Sequence, residues 1–278
     1  IVLSSDAPPQ EIPSLQELGL PKAIETFIHF RGGLVLVAGP TGAGKTTTLA
    51  AMIDLINTQY RRHIITLEDP IEYIHPNKKS IVHQRGMHYD IRDFASGIIA
   101  ALREDPDVIM VGELRDQETM RLAVSAAEVG ALIFATMHTS SAASTVERII
   151  DMFPDDEQPQ VRAMLSQSLA GVITQVLLRR TDKPGRVAAT EVLIATPAVS
   201  NLIRESKIAD IYSIIQAGKS MGMHTLDDSL EDLISRRLVD VEEAFSYAVN
   251  KSRFERAAKG VQTLESPLPG SRPRPPRG

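Results

Sequence analysis

The 278-residue chain contains no cysteine and no tryptophan, and aromatic residues make up only 4% of it. Without cysteine there can be no disulfide and no thiolate-bound zinc or iron–sulfur centre, a usage compatible with a reducing compartment. The scarcity of aromatic side chains leaves the core to Leu, Ile, Val, Ala and Met. Long apolar runs are missing too. Stretches such as Gly33 to Ala38 and Ala131 to Ala135 fall far short of the roughly 20 residues that cross a bilayer. A basic surplus is also absent, because the formal net charge is −5, and this argues against nucleic acid as the main partner. What remains is 43% hydrophobic and 23% charged, ordinary values for a globular chain of one large domain, with or without a small appendage.

Residues 1–30 carry Pro8, Pro9, Pro13 and Pro21 and read as a linker feeding a short helix near Lys22 to His29. From there the pattern alternates. Gly33 to Gly39, His63 to Glu68, Asp107 to Gly112 and Ala131 to His138 are short apolar runs expected to be strands. Thr46 to Tyr60, Arg92 to Glu104 and Asp116 to Val129 have helical spacing between them. Buried strands alternating with amphipathic helices predict an α/β fold with a mainly parallel sheet. Val172 to Leu178 and Arg186 to Ile194 lie close enough in sequence for an antiparallel pair at the sheet edge. Beyond Pro197 the spacing predicts only helices, near 197–205, 207–217, 225–236 and 240–249, and the Pro-, Gly- and Arg-rich tail is expected to be disordered. The expected division is thus a linker (1–30), an α/β domain (31–195), a C-terminal helical region (196–255) and a tail (256–278).

GPTGAGKT, Gly39 to Thr46, fits the G-x-x-x-x-G-K-[ST] pattern of a P-loop, placed between an expected strand and an expected helix as that motif requires. Gly39, Gly42 and Gly44 let the backbone curl its N–H groups toward phosphate oxygens. Lys45 brings a positive charge to the terminal phosphates, and the Thr46 hydroxyl suits Mg²⁺. The helix that follows points its positive dipole end at the same anion. The guanine-selecting N-K-x-D string is missing, the nearest being Asn77-Lys78-Lys79-Ser80, which favours ATP over GTP. Glu113, at the end of an apolar strand, is the candidate to orient the attacking water. Glu68, Asp69 and Glu72 also follow a strand, where the alternative is a solvated turn. His138 ends a third strand, a position that is more often structural. Arg85, Arg103 and Arg115 are candidate phosphate or interface arginines.

Four blocks occur in order: GPTGAGKTTTLAAMID from Gly39, ITLEDPIEY from Ile65, LREDPDVIMVGELRDQET from Leu102 and AEVGALIFATMHTSSA from Ala127. Over residues 14 to 250 the chain resembles the secretion ATPase superfamily of type II secretion and type IV pili. The blocks match that superfamily's Walker A motif, Asp box, Walker B motif and His box. The missing cysteines, together with Ala198-Val-Ser-Asn-Leu-Ile-Arg-Glu205 and Gly222-Met-His-Thr-Leu-Asp227, point to its pilus retraction branch.

The resemblance implies a RecA-like P-loop NTPase core with antiparallel edge strands and a C-terminal helical region. It implies that Gly39, Pro40, Thr41, Gly42, Ala43, Gly44, Lys45, Thr46 and Thr47 bind ATP or ADP, with Thr46 on Mg²⁺. Glu113, Glu68 and His138 would form the catalytic group, with Glu72, Arg103 and Arg115 near the nucleotide and some arginines acting from a neighbouring subunit. It further implies a homohexamer that retracts type IV pili in twitching motility. That ring would sit in the cytoplasm, docked peripherally on the inner membrane. Its partners would be a pilus platform protein there, the pilin filament indirectly, and a paralogous retraction ATPase. An N-terminal PAS-like domain would precede the core, and residues 1–30 would be its remnant. Three positions depart from the pattern: Ser200 replaces an Arg, Ala131 replaces the first His of the His box, and Gln84-Arg85-Gly86-Met87-His88 differs from QREVG. Two alternatives stay open, an ATP-binding accessory subunit with little turnover and another secretion ATPase of the superfamily.

Overall fold

A computed structural model describes residues 11–255 of the chain. The tail expected from 256 onward and the first ten residues of the linker lie outside them.

The described residues hold a seven-stranded sheet. Its strands are β1 (Gly33–Ala38), β2 (His63–Glu68), β3 (Ile81–Gly86), β4 (Val108–Val111), β5 (Leu132–Met137), β6 (Leu169–Arg179) and β7 (Arg186–Ile194). They are ordered β3-β2-β4-β5-β1-β6-β7. All neighbours are parallel except β6 and β7, which form the antiparallel pair expected at one edge. Every residue of β1, β4 and β5 is buried, because helices cover both faces of a parallel sheet.

Alternation along the strands sends side chains to two cores. Leu34, Leu36, Ile65, Ile109 and Ile133 face one side, while Val35, Val37, Ile64, Val108 and Phe134 face the other. The first core is covered by α2 (Phe94–Leu102), α3 (Gln117–Glu128), α4 (Ala142–Asp151) and α5 (Gln158–Ser168). Helices α6 (Pro197–Arg204) and α7 (Ile211–Ala217) share that core. The second core is covered by α1 (Lys45–Gln59) and by the short helix Lys22–His29, which is a 3₁₀ helix. Ile24, Phe27 and Ile28 of that helix are fully buried, each contributing about 1.5–3 kcal/mol of burial free energy. A third cluster joins the far ends of β6 and β7 to α8 (Leu226–Ser235) and α9 (Val241–Tyr247).

Strand β3 and helices α4 and α5 were not among the elements expected from the sequence. Strand β3 (IVHQRG) is an edge strand in which most positions are exposed or partly so, and it lacks the apolar run that marks its neighbours. Helix α4 is instead signalled by its cap, a Ser141–Ser144 capping box.

Candidate nucleotide site

Strands β1, β2, β4 and β5 all end at one edge of the sheet, the carboxyl edge where open α/β sheets bind ligands. A cavity of about 550 Å³ lies there. Its floor is the turn between β1 and α1. Gly39 has φ +147° and Gly44 +84°, conformations that favour glycine. A Cβ on Gly39 would come within 2.3 Å of the Gln175 carbonyl oxygen on β6, so that position also needs the smallest side chain for space. No side chain among the described residues caps the start of α1, whereas Asp93, Asp116 and Ser141 cap α2, α3 and α4. The first-turn N–H groups of α1 are therefore left for an anion, as at other phosphate-binding helix starts.

Lys45 is 8% exposed, and its ammonium donates to the carbonyls of Gly39 (2.8 Å) and Pro40 (3.0 Å). Burial lowers its pKa, opposed by the charge of Glu113. Of the expected P-loop residues, Thr41, Gly42, Ala43, Gly44, Lys45, Thr46 and Thr47 line the cavity. Gly39 and Pro40 act behind it through the two carbonyls that hold Lys45.

The carboxylates come from separate strand ends. Glu113 follows β4, with one oxygen 2.6 Å from the Arg115 guanidinium and the other 3.1 Å from His138 Nε2, just beyond β5. Burial works against its ionisation. The Arg115 hydrogen bond, the charges of His138 and Arg115, and the His138 hydrogen bond outweigh it, so its pKa lies below the usual carboxylate value. Glu68 ends β2 and is 5% exposed. It accepts from Thr66 Oγ1 at 2.6 Å and from Gln84 Nε2 at 3.0 Å, and burial raises its pKa. Glu72 and Asp69 complete the acidic wall, and the Thr47 and Tyr73 hydroxyls, 3.1 Å apart, tie this wall to α1.

Arg103 and Arg85 do not reach the cavity. Arg103 follows the last residue of α2, exposed, and α2 leads into the start of β4, which places it toward the opposite edge of the sheet. Arg85 pairs with Glu104 at 2.5 Å.

Several residues of the site escaped the sequence reading. Gln175, 2% exposed, donates to the Ala43 carbonyl and accepts from Thr48 Oγ1 at 2.9 Å, bracing the P-loop from β6. The signal for it is a polar pair, Thr174-Gln175, inside an apolar strand. Gln84 holds the acidic wall by donating to Glu68 and to the Tyr73 carbonyl and by accepting from the His75 N–H. Phe94, Leu177 and Arg186 also line the cavity. Nothing in their local sequence marks them.

A family model described as "Type II/IV secretion system protein" matches residues 9–246. The chain belongs to this family. It is 52% identical over 242 residues to a "Twitching motility protein" of Neisseria gonorrhoeae, covering 87% of this chain and 65% of that one. It is 51% identical over 236 residues to a "Type IV pilus retractation ATPase PilT" of Pseudomonas aeruginosa, covering 85% of this chain and 68% of that one. The chain thus spans about two thirds of the length of these curated relatives. Among solved structures it matches the pilus retraction motor PilT with bound ADP at TM-score 0.84 and 47% identity, over 90% of this chain and 71% of that one. The fold is the RecA-like one expected, and within the family the chain is similar to the pilus retraction motors.

Proposed function

We propose that the chain is the ATP-hydrolysing part of a hexameric motor that retracts type IV pili. The observation carrying this reading is Glu113, whose two oxygens are fixed by His138 and Arg115 in the cavity that Lys45 also lines. The P-loop N–H groups and Lys45 hold the phosphates of ATP. Ionised Glu113 accepts the hydrogen bond of the attacking water and aligns it with the terminal phosphorus. Arg115 and His138 keep that carboxylate ionised and aimed.

The oxygen-rich wall of Thr46, Glu68, Asp69, Glu72 and Glu113 fits Mg²⁺, a hard cation that takes oxygen ligands. Thr46 would hold it, with the carboxylates acting on its waters. The ion would supply charge neutralisation at the phosphates.

Residues 31–195 serve as the ATPase unit and 196–255 as a helical attachment that moves with it. Arg103, exposed and outside its own cavity, serves a neighbouring subunit of the ring. No helix among the described residues is long and apolar enough to cross a membrane. The ring works from the cytoplasm, docked on the platform protein of the inner membrane, alone or with a paralogous ATPase, and acts on the pilin filament through that platform.

Deletion of the gene in its own host tests the reading. The expected outcome is surface pili that accumulate and no longer retract, restored by the wild-type allele and not by Lys45→Ala. Loss of pili would instead indicate an extension motor. Retraction that persists without the gene would point to an accessory subunit.

A further inference from the structure

Three metal-ligating side chains meet outside the nucleotide cavity. His63 opens β2, and His83 lies in the neighbouring parallel strand β3. The register pairs His63 with Ile81 and Ile65 with His83. The two imidazoles are therefore diagonal neighbours on one face of the sheet, the face of Ile65 and Leu67 that α2 covers. Diagonal neighbours are within reach of long or aromatic side chains. His63 Nε2 and His83 Nδ1 are 3.1 Å apart, with the rings edge to face at 5.2 Å between centroids. Glu104, two residues past the end of α2, brings its carboxylate alongside. The three ligand atoms lie within 4.8 Å of one another.

The separation of the two nitrogens suits a shared cation. Zinc sits about 2.0–2.1 Å from imidazole nitrogen, so two histidines in a tetrahedral shell place their nitrogens roughly 3.3 Å apart. Only a slight spreading of the rings is needed. Arg85 holds a carboxylate oxygen of Glu104 at 2.5 Å, the kind of outer hydrogen bond that fixes ligating carboxylates. The Asp107 carboxylate accepts from the His63 backbone N–H at 2.8 Å and anchors the start of β2.

We propose that His63, His83 and Glu104 form a binding site for a divalent transition-metal cation of the zinc type, with water in the remaining positions. Two imidazoles and one carboxylate suit zinc and its neighbours in the first transition row. Mg²⁺ and Ca²⁺ prefer all-oxygen sets, so this site and the P-loop select different ions. His63 stands five residues before Glu68, roughly 16 Å along the strand, so the two sites do not share ligands. A bound cation would clip the edge strand β3 to β2 and to the end of α2. Strand β3 carries Gln84, which holds Glu68 and the acidic wall.

The test is calorimetric titration of Zn²⁺ into the chelator-treated full chain, without nucleotide and with Mg²⁺ in large excess, beside His83→Asn and Glu104→Gln. Both variants change exposed residues, so folding should survive. Wild type is expected to bind Zn²⁺ and to gain thermal stability with it, since a ligand of the native state raises the unfolding midpoint. His83→Asn is expected to weaken binding at least about tenfold and to lose the thermal gain, and Co²⁺ should show tetrahedral absorption bands in wild type alone. Equal Zn²⁺ binding by wild type and both variants, or no binding by wild type with zinc in excess, overturns the assignment.

Discussion

His138 and Glu113 stand just past the ends of adjacent parallel strands, and the imidazole Nε2 lies 3.1 Å from a carboxylate oxygen. With Arg115 on the other oxygen, Glu113 has little freedom to turn. His138→Ala should therefore lower kcat about tenfold while leaving ATP affinity nearly unchanged, the size expected for one lost hydrogen bond to a charged group. Steady-state hydrolysis and a separate binding titration check this. A variant that loses ATP affinity but keeps kcat would place His138 on the nucleotide instead.

Gln175 ties the P-loop to β6 through the Ala43 carbonyl and the Thr48 hydroxyl. Gln175→Leu keeps much of the volume but leaves both partners unsatisfied in a buried place. The cost should be about 1–3 kcal/mol, read as a lower denaturation midpoint, together with weaker ATP binding as the loop loosens. Unchanged stability and affinity would show that the brace is dispensable.

The parts most legible in the sequence are those where one segment carries its own signal. Apolar runs announced β1, β2, β4 and β5, and the glycine spacing from Gly39 announced the P-loop. Strand β3 stayed hidden because an edge strand need not be apolar. Its residues matter through Gln84, which reaches across to Glu68 and the Tyr73 carbonyl, a relation set by strand register. Gln175 lies 132 residues beyond Ala43 and meets it only because β6 pairs with β1. Arg103 lies in the same sequence block as Glu113, yet α2 ends away from the cavity, so shared sequence context did not mean a shared site.

His75 is buried, and its Nδ1 has no partner among the described residues. Burial lowers its pKa to about 4. The unfolded chain takes up this proton near pH 6.5 and the native state does not until about pH 4. Stability is therefore whole above about pH 6.5 and falls as the pH drops toward 4, by a few kcal/mol at most. Burial pushes His224 in the same direction. Denaturant midpoints measured across this range should fall for wild type and flatten in His75→Gln. An equal slope in both would remove His75 as a source of the pH dependence.

Glu191 on β7 is 3% exposed and accepts from the Ala142 N–H at 2.7 Å. This carboxylate thus joins β7 to the start of α4. Glu191→Ala leaves that buried donor unpaired and should cost about 1–3 kcal/mol, seen as earlier thermal unfolding. A midpoint within error of wild type would contradict that bridging role.

The central claim is that Glu113 and the P-loop form a working ATPase site. Its most direct test is Mg²⁺-dependent ATP hydrolysis by the full chain, without nucleic acid, over a range of protein concentrations, beside Glu113→Gln. Turnover per chain that rises with concentration, and that falls by about 10²–10⁴-fold in the variant while ATP still binds, is the predicted result. ATP binding without turnover at any concentration, or a variant as active as wild type, would contradict it.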